Sequence, residues 1–198
     1  MPISSVCLLE IAEIITGYTD LTAEESEYRY AVLQANSFSD TDELTPLQDM
    51  YRPKVAAENA LVRSGDVLVK RLNPNYSFVV RSLPEQTVAT QSLFIIRPND
   101  RILPEYLAYL LEQKEVLSQI EHISGSGLAI RAVTKDKLSN AEVLIMPLEQ
   151  QHAIGQLWIL AKKRRRLLTE YTREYERFVS LFLKKTINDG GYENGNAD

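Results

Sequence analysis

The residues best suited to chemistry lie in one turn-rich run, "KRLNPNYSF", which carries Lys70, Arg71, Asn73, Asn75 and Tyr76 within seven positions. Arginine presents paired donors that match guanine, asparagine presents a donor and an acceptor that match adenine, and lysine neutralises phosphate. The run is therefore a candidate for contact with base edges or backbone of duplex DNA, with Arg81 close behind it. Asn-Pro-Asn is also ordinary turn chemistry, so a polar hairpin turn accounts for the same residues equally well. A second candidate is "SGSGLAIR", where Ser124, Ser126 and the glycines between and after them leave backbone amides open to a phosphate, with Arg131 and Lys135 as nearby charge. A flexible loop between a helix and a strand reads the same way.

Catalysis is poorly supplied. The chain has no glycine-rich loop for AdoMet or phosphate, no Asn-Pro-Pro-aromatic run of an amino methyltransferase, and no nucleophile beside a base. "DVLVK" approaches a nuclease carboxylate-x-lysine element, but Leu68 stands at the carboxylate position. His122 and His152 lie far apart without a cysteine or carboxylate cluster, so no metal site and no cofactor are expected. The single cysteine, Cys7, excludes an internal disulfide. With no secretory leader pattern and no apolar run long enough to span a bilayer, a cytoplasmic chain without membrane contact is expected.

A net charge of -5 argues against a nucleic-acid partner, yet its distribution argues the other way. Residues 1 to 51 hold ten acidic side chains and one basic one, Arg29. Residues 52 to 81 hold six basic groups against Glu58 and Asp66, and residues 161 to 187 hold nine against three. The acidic stretch from Asp40 to Asp49 is expected to face away from DNA. The run Lys162 to Arg166 reads first as a solvated helix face, and otherwise as a contact to phosphates or to an acidic partner.

The elements that must position these residues follow from patterning. "SSVCLLEIAEIITGYTDL" places Leu8, Ile11, Ile14 and Ile15 at helical spacing before Gly17, predicting a short amphipathic helix. "YRYAVLQANSF" alternates like a strand, and "LVRSGDVLVKRL", "YSFVVRSL" and "TVATQSLFIIRP" are β-branched runs split by turns. "ILPEYLAYLLEQKEVLSQI" switches to helical period with Pro104 in its first turn. Thr134 is a candidate N-cap, and Ala141 to Met146 a last strand. A long helix then begins at Pro147 and runs to about Ile187, before a tail expected to be disordered.

Heptads laid on that helix from Ile154 give a seam of Ile154, Leu157, Ala161, Arg164, Leu168, Tyr171, Tyr175, Phe178 and Phe182, all but Arg164 apolar or aromatic. Such a seam extends about 40 Å, more than one small domain can cover, and calls for a partner helix. Packing of a lone helix back along its own domain is the alternative.

Taken in order, "LLEIAEIITGYT", "SGDVLVKR", "RILPEYLAYLL", the Gly/Ser loop, a strand, then Pro147, Leu148, Gln151 and Ile154 opening a long helix together resemble the DNA-specificity subunit of type I restriction-modification systems. The resemblance covers residues 6 to 187. It departs where Met146 replaces the first proline of the turn into the helix and Gln150 replaces its glutamate. A full subunit has two recognition domains and two helices, and this chain matches one of each, so it is a self-pairing half, a fragment or a diverged relative.

The resemblance implies an α/β (α+β) fold: a mixed β-sheet, barrel-like target recognition domain over 1–146, a coiled-coil-type spacer and dimerisation helix over 147–187, and a tail over 188–198. It implies a non-catalytic subunit that binds double-stranded DNA sequence-specifically and directs a methyltransferase (modification) subunit and, in the complete system, a restriction subunit to a bipartite site. A homodimer would pair Leu157, Leu168, Tyr171, Tyr175, Phe178 and Phe182 across a two-fold axis. The rival readings are a protein-interaction module that dimerises through its helix without touching DNA, and an enzyme fragment with a deep polar pocket. The DNA reading requires Lys70, Arg71 and Arg81 to share a face with Arg131.

Overall fold

The computed structural model describes residues 4–41, 43–124 and 130–190. Its centre is an antiparallel sheet in the order β2 (Ala12–Thr16), β8 (Leu93–Pro98), β5 (Val67–Lys70), β6 (Ser77–Val79). Both faces of this sheet are covered. Val67, Val69, Val79, Phe94 and Ile96 enter one cluster, while Leu68, Phe78, Val80, Leu93 and Ile95 enter another. Burial on both faces is why these strands read as unbroken apolar runs rather than as alternating ones.

The N-terminal segment corrects the helical expectation. It forms β1 (Ser4–Cys7), a single 3-10 turn over Leu8–Glu10 and then β2. The Glu10 carboxylate accepts the Cys7 amide at 3.0 Å and closes that turn. β2 then pairs with β8 from Ala12 opposite Pro98 to Thr16 opposite Phe94. Strand pairing wins because Ile14 and Ile15 each find a core, Ile14 on one side of the sheet and Ile15 on the other. A helix would bury only one of those faces.

β3 (Tyr28–Leu33) lies between β4 (Gln48–Arg52), antiparallel to it, and β7 (Thr87–Ala89), parallel to it. A bridge from Tyr18 to Thr90 ties this sheet to the central one. The predicted helix after Leu103 is two helices, α1 (Pro104–Leu111) and α2 (Lys114–Ile120), broken where Gln113 turns extended. The hairpin β9 (Glu121–Ser124) and β10 (Ile130–Val133), then α3 (Lys135–Ser139) and β11 (Glu142–Ile145), lead back to β1, which pairs with β11. Thr134 caps α3 as expected, its hydroxyl accepting the Lys137 amide at 3.3 Å.

The last helix, α4, occupies Leu148–Gly190, so its first helical residue follows Pro147 and its last lies inside the stretch expected to be a tail; residues 191 to 198 of that tail lie outside the described residues. Its start is pinned by buried Gln151, whose Oε1 accepts the Leu103 amide at 2.9 Å and whose Nε2 donates to the carbonyls of Arg101 at 3.0 Å and Met146 at 2.8 Å. Gly155 permits the close approach to α1: a Cβ there would sit 2.9 Å from that of Glu105. Trp158 and Lys162 complete the buried face, one residue every turn from Gln151. Beyond Arg166 the helix projects about 36 Å from the domain.

Candidate nucleic-acid interface

The two stretches singled out by their polar residues, far apart in sequence, adjoin in space. The loop after β5 lies along β10: the Asn73 amide donates to the Arg131 carbonyl at 2.7 Å, the Val133 amide to the Arg71 carbonyl at 2.8 Å, and Leu72 bridges Ala132. Asn73 holds a positive φ of 51°, a conformation asparagine tolerates better than most residues, and this turns the exposed Asn73 and Asn75 outward. The Arg131 guanidinium donates to Asn75 Oδ1 and, at 3.3 Å, to Glu121. Arg71 donates to the Gln91 carbonyl at 3.2 Å and stacks over Phe94. Lys135, at the first turn of α3, is exposed at the same end.

Arg71, Asn73, Asn75 and Arg131, with Lys135 beyond, thus form one polar edge at the end of β5. Beside it opens a cleft of about 460 Å³ walled by Ala35, Leu72, Ala132 and Val133, with Arg71, Gln91 and Ser92 at its polar side. The cleft does not bring together the paired acid and base that an enzyme fragment would need. Among the described residues no group of three His, Cys, Asp or Glu is placed to hold a metal. No helix among them is long and apolar enough to cross a membrane.

Three predicted residues are placed elsewhere. Arg81 follows β6 at the opposite end of the β5 and β6 pair, where its carbonyl accepts from Ser64 Oγ at 3.1 Å. It therefore does not share the edge with Arg131, and with Lys70 turned inward only Arg71 of the three bases that the DNA reading required there meets Arg131. Lys70 and Tyr76 face inward: the Lys70 ammonium donates to Tyr76 Oη at 2.7 Å and lies over the rings of Phe38 and Tyr76. Ser124 ends β9, opposite Ile130, and Ser126 lies outside the described residues.

The basic run on α4 divides in the same way. Lys162 is 3% exposed and paired with Glu112 at 2.7 Å, so it is not part of a solvated face. Arg165 and Arg166 reach the acidic loop, Arg165 to Asp40 at 3.4 Å and Arg166 to Glu43 at 4.0 Å. Asp40 and Glu43 of the acidic stretch are turned toward the helix, where they neutralise part of the run, while Asp49 pairs with Arg29. Sequence reading missed the Glu112 junction, although Gln151, Gly155, Trp158 and Lys162 recur at helical spacing and mark the buried face.

The aromatic seam is open. Leu157, Leu168, Tyr171, Tyr175, Phe178 and Phe182 are all more than half exposed, with Tyr171 stacked on Tyr175 and Phe178 on Phe182. The alternative of a helix folded back on its own domain holds from Gln151 to Arg166, by burial as far as Lys162 and by exposed ion pairs beyond it.

No family model matches the chain. A protein of Methanocaldococcus jannaschii, assigned as the MjaX type I restriction enzyme specificity subunit, is 22% identical over 159 residues, which cover 76% of this chain and 37% of that protein. The HsdS subunit from Thermoanaerobacter tengcongensis superposes with a TM-score of 0.65 at 19% identity, over 99% of this chain and 51% of that one. A chain solved to explain complex assembly and conformational transition of the type I R-M system gives 0.60 at 24% identity, over 93% and 46%. The type I S subunit from M. genitalium gives 0.50 at 14% identity, over 96% and 44%. The chain spans about half the length of these solved subunits, and less of the curated relative. It therefore has the fold of one half of a type I restriction-modification specificity subunit, a target recognition domain with its long helix.

Proposed function

We propose that this chain is a non-catalytic DNA-specificity component of a type I restriction-modification system, binding duplex DNA through the edge formed by Arg71, Asn73, Asn75, Arg131 and Lys135. The observation that carries the reading is the meeting of two polar stretches, some 55 residues apart, at Arg131 and Asn75. Paired guanidinium and amide groups on one outward edge suit major-groove readout, and their neighbours suit phosphate contact. The chain acts as a two-fold dimer in the cytoplasm, α4 pairing with α4 through its open seam. Two recognition edges at the ends of one rod read a bipartite target with inverted half-sites. The role of the complex is to bring a methyltransferase subunit, and a restriction subunit, to that target.

The test begins with solution mass by light scattering, for the chain and for a variant carrying Leu168→Glu and Tyr175→Glu. A dimer reduced to monomer in the variant supports pairing through α4, and selection from random duplexes should then return an inverted repeat. A monomer in both cases overturns the self-dimer. A dimer that selects no duplex sequence, alone or with a methyltransferase subunit, favours the interaction-module reading, which the exposed seam independently supports.

A further inference from the structure

Glu112 belongs to none of the stretches discussed for DNA contact, yet three elements meet on its carboxylate. It stands one residue beyond α1 and ends that helix. Its Oε1 accepts the Ser77 amide at 2.8 Å and the Lys162 ammonium at 2.7 Å, and its Oε2 accepts the Trp158 indole N–H at 3.1 Å. Ser77 opens β6 and is the residue on which the polar loop ends, its hydroxyl donating to the Ala108 carbonyl at 2.8 Å. Lys162 and Trp158 are the last buried residues of α4 before it leaves the domain. Tyr76, immediately before Ser77, is flanked by two ammonium groups, Lys70 at 4.5 Å and Lys162 at 5.8 Å from its ring. The root of the loop and the exit of the helix therefore share one carboxylate.

We infer that Glu112 is a positioning residue that fixes the direction of α4 relative to the loop Arg71 to Tyr76. Resting on the function proposed above, it thereby sets the separation and rotational phase of the two half-sites. A helix that projects far beyond its last packed turn amplifies small rotations at that turn. The anchor at Gln151 lies about three turns earlier, and the Arg165–Asp40 and Arg166–Glu43 pairs beyond Lys162 join exposed groups and hold little, so the buried contacts nearest the exit govern the angle. A charge-assisted set of bonds with fixed directions restricts rotation more than apolar contact of the same area, which tolerates sliding. The buried ammonium also excludes alternative packings, since Lys162 loses its partner in any arrangement that moves α4 away from Glu112.

An ordinary stabilising ion pair would make the same contacts, and the two roles separate in the paired neutral variant. Replacing Glu112→Gln alone strands a buried ammonium and lowers stability. Replacing Glu112→Gln with Lys162→Met removes both charges and restores stability without restoring the directional bonds. Spin labels on Asn73→Cys and Lys163→Cys, in a Cys7→Ser background and diluted with unlabelled chain, report the loop-to-helix distance by pulsed electron resonance. The wild-type background should give one narrow distance. The double neutral variant should melt near wild type and broaden that distribution about two-fold. An unchanged width in a folded double variant overturns the inference.

A second arm uses duplexes with half-sites at varied spacing. The chain should prefer one spacing, and the double variant should lose that preference by about ten-fold while binding isolated half-sites as before. An unchanged spacing preference overturns the half-site consequence. Failure of the wild-type chain to bind any duplex, alone or with a methyltransferase subunit, overturns the DNA reading, while the distance measurement still decides whether Glu112 positions the helix.

Discussion

Neutralising Asp66 tests whether the "SGDVLV" run is a structural clamp or a displaced catalytic remnant. Its side chain is 1% exposed, and both oxygens are taken: Oδ1 by Arg97 Nε at 2.8 Å, Oδ2 by the second Arg97 nitrogen and by the Arg63 amide, each at 2.8 Å. The hydrogen bonds that Arg97 donates to Asp66 raise the pKa of Arg97 against the opposing effect of burial. Asp66→Asn keeps the shape, removes the charge and turns an amide donor toward a guanidinium. Removing one member of a buried pair costs about 3 to 5 kcal/mol. Arg97 is 17% exposed and keeps its bonds to the Asn59 and Leu61 carbonyls, which places the cost near the lower end, about 3 kcal/mol. At roughly 2 to 4 °C per kcal/mol for a chain of this size, the melting temperature should fall by roughly 6 to 12 °C. Circular dichroism melts at neutral pH measure it, and adding Arg97→Met should recover most of the loss. A single variant melting within about 2 °C of wild type would refute the clamp.

Two further outcomes follow from named contacts. Tyr106 is fully buried, its hydroxyl donates to the Leu144 carbonyl at 2.9 Å, and burial pushes its pKa above the ordinary phenol value. Its contribution is therefore complete below about pH 10 and is lost as pH rises through the folded pKa. Tyr106→Phe should cost about 1 kcal/mol at neutral pH and flatten the alkaline fall in the urea midpoint; an alkaline limb identical to wild type would remove Tyr106 as its source. Arg131→Ala should weaken duplex binding and lower the salt slope by about one, measured by fluorescence anisotropy across a salt series, whereas an unchanged slope would place Arg131 away from phosphate.

The central sheet was legible because β5, β6 and β8 are rich in β-branched and aromatic residues and are separated by turn residues. The first segment was not, because Leu8, Ile11, Ile14 and Ile15 satisfy a helical spacing and only long-range partners, Ile96 for Ile14 and Ile95 for Ile15, decide for strand, while the Leu8 amide, in the 3-10 turn, bonds Ala141. The break between α1 and α2 was hidden for a similar reason. Nothing in "YLLEQKEV" stops a helix, and the carboxylate of Glu112 is claimed instead by β6 and α4. Local pattern predicts an element well where its own side chains settle the matter, and poorly where a single distant contact does.

The candidate site divides along the same line. Polar residue type located the two stretches, but their meeting depends on β10 lying against the loop, which no spacing along the chain encodes. Type alone could not separate Asn73 and Asn75, which face outward, from Lys70 and Tyr76 in the same run, which form part of the domain's joint with α4. Net charge is a poor guide to the potential at the edge formed by Arg71 and Arg131 for a physical reason. Asp20 pairs with Arg52, Asp66 with Arg97 and Asp40 with Arg165, so these carboxylates are held against particular bases other than Arg71 and Arg131. Charges more than a Debye length from that edge, roughly 8 to 10 Å at ordinary salt, hardly affect an approaching phosphate. The sign that matters for binding is set by the few groups around Asn73 and Asn75, and there arginine outnumbers carboxylate: Arg71 bonds a neutral carbonyl, and Arg131 divides its guanidinium between Glu121 and Asn75.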